Sequence, residues 1–247
     1  MFESVTIFVL ASEETVLLRQ TIKRIQGCCS SEDVDSIVIV LKSNDCPSYY
    51  EADRIIENNT GIKIEKYVQK SDTVVRCIAE LPPLAKGSHF VIMASDSEME
   101  PESLRIFIER AKLYPQKIIC AAKWHKDSVV EDYGFFHETG SRITNGFVRV
   151  LYLKRVYDPF SIFQIYPVSV YKNISYKNVD LFPYEYTLIP LRLNYGYEEI
   201  PTVYKKRTEG KSNFNLLSMV RIAIDFCYAA IKIRFTPKRL LHEEKDN

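Results

Sequence analysis

The first half of the chain alternates two kinds of hydrophobic segment. Near-continuous apolar runs, VTIFVLA (5–11), SIVIVLK (36–42), IKIEKYV (62–68), HFVIMAS (89–95) and KIICAAKW (117–124), have the length and β-branched content of strands buried on both faces. Between them lie TVLLRQTIKRIQ (15–26), PSYYEADRIIENN (47–59), TVVRCIAELPPL (73–84) and PESLRIFIERAKLY (101–114), whose apolar residues recur at helical intervals. In the last, Leu104, Ile106, Phe107, Ile108 and Ala111 fall largely on one side, and Pro101 suits a first helical turn. This alternation predicts an α/β fold: a mostly parallel sheet flanked by helices and joined by right-handed crossovers.

Composition narrows the picture. The 247 residues are 46% hydrophobic, enough for a substantial core, and only 8 glycines and no repeat or low-complexity linker interrupt them. Lys and Arg number 33 against 32 Asp and Glu, so no global field suits nucleic acid and any anion site must be local. Six cysteines without CxxC spacing read as free thiols in a reducing cytoplasm. MFESVTIFVLASEE carries no basic stretch ahead of its apolar run, so it is expected to be a first strand and not a signal peptide. The four histidines, His89, His125, His137 and His242, lack ligand spacing.

In open parallel sheets, ligands bind beyond the carboxyl ends of the strands. Three polar patches fall there: Ser12, Glu13 and Glu14 after the first strand, Lys42 to Asp45 after the second, and Ser95 to Glu98 after the fourth. Carboxylates converging on one face could hold Mg²⁺ or Mn²⁺ through hard oxygens. Glu13, Glu14, Glu98, Glu100 and Glu102 equally suit helix N-termini, where the macrodipole favours acids.

The order of these pieces resembles a family 2 glycosyltransferase of the GT-A fold, most nearly the dolichyl-phosphate mannose synthase type. VLASEE resembles the family's Tyr-Asn-Glu-Glu segment, with Ala11 and Ser12 ahead of Glu13 and Glu14. VLKSND replaces its Asp-Asp-Gly-Ser, with Leu41 and Lys42 at the acidic positions. In MASDSEMEPES, Ala94 replaces the first Asp of the Asp-x-Asp metal motif, Asp96 matches the second, and Glu98 stands where a Gln is usual. SRITNGFVRVL (141–151) is similar to the family's Ser-Arg…Asn helix. YDPFSIFQIYPVSVYKNI (157–174) is similar to its Asp-Pro-x-Ser-Gly-Phe-Arg segment, with Ile162 for Gly and Gln164 for Arg. YGYEEIPTVYKKRTEGKSNF (195–214) is similar to its closing motif, keeping Arg207, Gly210, Lys211 and Ser212.

The resemblance implies metal-dependent, inverting transfer of a sugar from a nucleotide-diphosphate donor to a lipid-phosphate or glycan acceptor. Asp96 and Glu98 would hold the divalent metal (Mg²⁺ or Mn²⁺), and Ala11, Ser12, Glu13, Lys42, Asp96, Lys123 and Ser212 would line the donor. Arg207 and Lys211 would neutralise phosphate charge, and Asp158 would orient or deprotonate the acceptor. Glu185 is a weaker acidic candidate, and Trp124 suits the core better than sugar stacking. Because Ala94, Leu41, Lys42 and Ile162 depart from the pattern, the alternative is a catalytically degenerate member acting as a binding or partner subunit.

Residues 213–235 have helical spacing with a narrow polar stripe of Ser218, Arg221, Asp225 and Lys232, and no apolar run long enough to span a bilayer. The expectation is a transferase domain over 1–212 and an amphipathic helix with a charged tail over 213–247. The helix would lie on the cytoplasmic face of a membrane or against protein, the domain or a second copy of the chain.

Overall fold

A computed structural model of the chain describes residues 1–96, 98–131, 134–176, 178–205 and 216–243. The first half follows the pattern of hydrophobic runs: β1 (Val5–Ala11), α1 (Val16–Cys28), β2 (Val34–Leu41), α2 (Pro47–Glu57), β3 (Ile64–Val68), α3 (Val74–Glu80), β4 (His89–Ala94), α4 (Ser103–Leu113) and β5 (Ile118–Ala121). The second half adds β6 (Val129–Val130), α5 (Phe135–Tyr152), β7 (Gln164–Pro167), α6 (Val168–Lys172), α7 (Phe182–Leu193), β8 (Tyr197–Ile200), β9 (Val203–Tyr204) and α8 (Leu216–Phe235).

The main sheet has the order β3-β2-β1-β4-β7-β5-β8, and β6 pairs with β9 in a small parallel ribbon. All neighbours in the main sheet are parallel except β7, which runs antiparallel between β4 and β5. That reversal is absent from the strand pattern, because β7 is only four residues long and too short to register as a run. The strand expected over 117–124 stops at Ala121, where the chain turns and Ala122 accepts from the Ser128 hydroxyl at 2.7 Å. The helix expected to open at Pro101 begins at Ser103, after a turn in which the Leu104 N–H donates to the Pro101 carbonyl at 2.9 Å.

Both faces of the sheet are covered, which is why its strands read as unbroken apolar runs. Ile7 and Val9 point into a core with Leu18, Ile22, Leu104, Phe107 and Phe163, while Phe8 on the alternate face joins Phe90, Tyr166, Tyr186 and Val148. In the second core Tyr166 stacks on Tyr186 with ring centroids 4.5 Å apart. His89 is buried at the start of β4, where its ring nitrogens meet the Ser88 hydroxyl and the Pro115 carbonyl.

The helix α8 lies against α5 and α7 and completes that second core with Phe226, Ala229, Ala230 and Ile233. Phe226 packs on Phe160 with centroids 3.8 Å apart, and Ala230 and Leu151 carbonyls accept from Tyr152 and Arg234. The boundary expected at 212/213 lies outside the described residues.

Candidate active site

Register brings the predicted strand ends together. Leu10 is paired with Ala94 and Ala11 with Leu41, so Ala11, Lys42 and Asp96 emerge at one edge of the sheet. Ser12 and Glu13 follow in a tight loop whose two N–H groups donate to the Glu14 carboxylate at 2.9 and 3.1 Å. Glu14 therefore fastens its own loop, while Glu13 and Lys42 are exposed to solvent.

Asp96 is only 4% exposed, and its carboxylate accepts the Glu98 N–H at 3.2 Å. The acidic segment is then sewn to β9. The Tyr204 hydroxyl donates to the Glu98 carboxylate, Lys205 N–H donates to the Glu98 carbonyl at 3.1 Å, and Met99 bridges Tyr204. Glu100 pairs with Lys205 at 2.8 Å and Glu102 with Arg24 at 2.8 Å, so these two acids are held by cations from neighbouring elements. The Arg24 hydrogen bond holds the Glu102 carboxyl below its ordinary range.

Lys123, just past β5, is the second focus. Its N–H donates to Asp158 at 3.0 Å and its ammonium stands 4.8 Å from the centre of the Tyr204 ring. It lines two clefts. The larger, about 310 Å³, includes Trp124, His125, Lys126, Glu138 and Arg142; the smaller, about 80 Å³, includes Met99, Phe160, Ile162, Thr202 and Tyr204. Trp124 is almost fully buried with its indole N–H on Ser141 at 2.7 Å, and the Arg142 guanidinium covers its ring at 4.7 Å.

Asp158 is completely buried, and burial pushes its carboxyl up against the pull of Lys123. Its N–H and that of Tyr157 donate to the two oxygens of Glu199, each at 2.7 Å. No side-chain motif in the sequence marks Glu199. Its available signal was an acid in a strand whose neighbour Glu198 turns outward to Arg110 at 2.7 Å, which forces Glu199 inward by the strand's two-residue period. Glu185 is buried in α7, where it accepts the Asn178 N–H at 3.4 Å. Arg207, Gly210, Lys211 and Ser212 lie outside the described residues.

The acids present suit a shared metal site better than a closed one. Among the described residues, no group of three His, Cys, Asp or Glu side chains is arranged as a metal cage. Asp96 and Glu98 nevertheless offer hard oxygens, and Mg²⁺-like ions are commonly held by one or two carboxylates with the substrate's phosphates completing the shell.

No family model matches this sequence, and no curated protein matches it. Solved structures do. Glucosyl-3-phosphoglycerate synthase from Mycobacterium tuberculosis, in complex with Mn²⁺, UDP and phosphoglyceric acid, superposes with a TM-score of 0.70 at 11% identity, over 95% of this chain and 80% of that one. The same synthase with Mn²⁺, UDP and glucosyl-3-phosphoglycerate gives 0.68 at 11% identity, over 95% and 81%. A mycobacterial protein gives 0.70 at 10% identity, over 95% and 76%. The chain has the GT-A fold. In this chain's GT-A sheet the antiparallel β7 separates the acidic edge at β4 from Lys123 at β5, and β9 reconnects the two through Tyr204.

Proposed function

We propose that this protein transfers a sugar from a nucleotide-diphosphate donor to an anionic acceptor, a lipid-linked or small-molecule phosphate, by single displacement with inversion. The observation that carries this reading is the arrangement around Tyr204: the carboxylates of Asp96 and Glu98 on one side, and Lys123 opening onto a cationic cleft on the other. An acid-held cation and a basic cleft meeting at one point suit a reaction between two phosphate-bearing partners. The likeness to a synthase solved with Mn²⁺, UDP and phosphoglyceric acid supports a nucleotide donor and a phosphorylated acceptor.

In this reading Asp96 and Glu98 hold the divalent ion together with the donor diphosphate, and Ala11, Ser12, Glu13 and Lys42 line the nucleotide. The metal, when bound, supplies charge neutralisation for the departing diphosphate. Lys123, with Arg207, Lys211 and Ser212 from the closing motif, adds cationic and hydroxyl contacts to phosphate. Lys126 and Arg142 receive the acceptor's anionic group, Arg142 partly neutralised by Glu138 at 2.8 Å. Asp158, with no surface of its own, positions the Lys123 main chain. A phosphate acceptor is already ionised, so no buried base is required of it.

A second reading, a partner subunit that binds a nucleotide sugar without turning it over, is favoured by Ala94, Leu41 and Lys42 at positions that are acidic in the family pattern. Incubation with UDP- and GDP-sugars, Mn²⁺ and phosphorylated acceptors, read by product mass, separates them. A glycosylated product supports transfer, and binding without product supports the partner subunit. Neither binding nor product would refute both.

The outer face of α8 supports membrane attachment of the same protein. Val220, Ile224, Tyr228, Ile231 and Phe235 form an exposed apolar stripe at intervals of three and four, and Arg221, Lys232, Lys238 and Arg239 flank it in solvent. Among the described residues no helix is long and apolar enough to cross a membrane, so the stripe would lie in the plane of an anionic surface.

A further inference from the structure

Glu199 faces inward from β8, opposite Cys120 of β5. Each of its carboxylate oxygens is taken by a different main-chain donor, Tyr157 and Asp158. Asp158 passes the constraint on to the Lys123 N–H at 3.0 Å, while its other oxygen is buried without a hydrogen-bond partner. The 156–158 turn is finished by Asn145, which donates to the Tyr157 carbonyl at 2.9 Å, and by Arg149, which donates to Val156 and covers the Tyr157 ring. Among the described residues no Lys or Arg forms an ion pair with Glu199. A half-hidden carboxylate without such a pair is costly, and structure elsewhere must hold it in place.

We propose that Glu199 is a positioning residue of the transfer: through Tyr157 and Asp158 it fixes the main chain of Lys123, and with it the ammonium that stands between the two clefts. The inference rests on the glycosyl-transfer reading for its consequence, not for its geometry. Only a carboxylate meets the requirement, because it accepts two N–H donors at once. A glutamine offers one carbonyl oxygen and turns an NH₂ toward the other donor.

Charge state follows from the surroundings. Burial, reinforced by the nearby Asp158 charge, pushes Glu199 up to about 7, against its two N–H donors and Arg149. Cys120 and Tyr197, which also face the pair, are pushed up by burial and stay neutral. The two-acceptor form is therefore filled above neutral pH and is lost as pH falls through about 7.

The test uses the full chain, UDP or GDP with Mn²⁺ as probe, and the variants Glu199→Gln, Lys123→Ala and their double. Well above neutral pH, Glu199→Gln is expected to weaken binding of the nucleotide by about ten-fold. The double variant should bind no more weakly than Lys123→Ala alone, since Glu199 acts through that residue. Additive losses, or an affinity for Glu199→Gln within about two-fold of the parent, overturn the proposal. If the parent itself binds neither UDP nor GDP with Mn²⁺, the glycosyl-transfer reading fails and the ¹⁵N-labelled amides decide. Amide shifts of Lys123, Tyr157 and Asp158 that titrate with a midpoint near 7 in the parent and not in Glu199→Gln support the linkage. Shifts that titrate identically in both proteins, or in neither, overturn it.

Discussion

The hydroxyl of Tyr204 donates to the carboxylate of Glu98 across more than a hundred residues of chain, and the main chains of Met99 and Tyr204 bridge beside it. The loop that follows β4 is therefore held by β9 and Lys205, so the acidic segment and this strand move as one mechanical unit. Replacing Tyr204 by Phe removes the hydroxyl and leaves the ring beneath Lys123. The expected cost is about 1.5–3 kcal/mol of stability, as for one hydrogen bond to a charged group. A denaturation cycle of Tyr204→Phe, Glu98→Gln and the double measures it; strictly additive losses would mean that the contact is not coupled.

Asp96 tests the metal side. In Asp96→Asn the remaining carbonyl oxygen can still accept the Glu98 N–H, so the turn is kept while the hard negative charge is lost. UDP affinity in Mn²⁺ should fall by at least about ten-fold, and the gap between affinities with and without Mn²⁺ should close. Calorimetry reads both. A variant that binds UDP–Mn²⁺ like the parent would remove Asp96 from the site.

These residues were legible to different degrees. Asp96 could be located because a long apolar strand ends at it, and the α/β class because β1, β2 and β4 are buried on both faces. The reversed β7 was not, since four residues carry no usable period, and its antiparallel pairing is fixed by Ile165 lying between Val91 and Ile119. Glu199 escaped for a different reason: its partners are main-chain N–H groups, which no side-chain motif records. The helix over 213–235 was expected from its spacing. Which face it buries depends on Phe160 and Tyr184, distant in sequence.

Two buried titrating groups pull stability in opposite directions over nearly the same pH range. Burial raises Glu199 to about 7, so the folded chain holds a proton that the unfolded chain releases above about 4.5, and stability from this group is lost as pH rises through 7. Burial lowers His89 to about 4 against an ordinary 6.5, so its neutral form stabilises the fold above 6.5 and that stability is lost as pH falls through 4. Each effect is worth about 3 kcal/mol and the two offset one another in the parent. Glu199→Gln should therefore show a melting temperature that climbs between about pH 4.5 and 6.5, and His89→Gln one that declines, as the shifted groups require. Parallel melting profiles for the two variants would contradict both assignments.

The two faces of α8 make separable demands. Phe226 is fully buried against Phe160 and Tyr184, so Phe226→Ala should cost about 3–5 kcal/mol. Through Phe160, which lines the smaller cleft, it should also disturb the site. Ile224 and Phe235 stand 62% and 76% exposed on the opposite face, and replacing both by Ser should change stability by only about 0.5 kcal/mol per site. If the stripe lies in an anionic bilayer surface, the same double variant should lose most of its cosedimentation with phosphatidylserine vesicles, and raised salt should weaken the parent's binding through Arg221, Lys232, Lys238 and Arg239. A parent that stays in solution, or a variant that pellets equally well, removes the membrane from the account. Concentration-dependent association of the parent, abolished by the same two substitutions, would instead assign the stripe to a second copy of the chain.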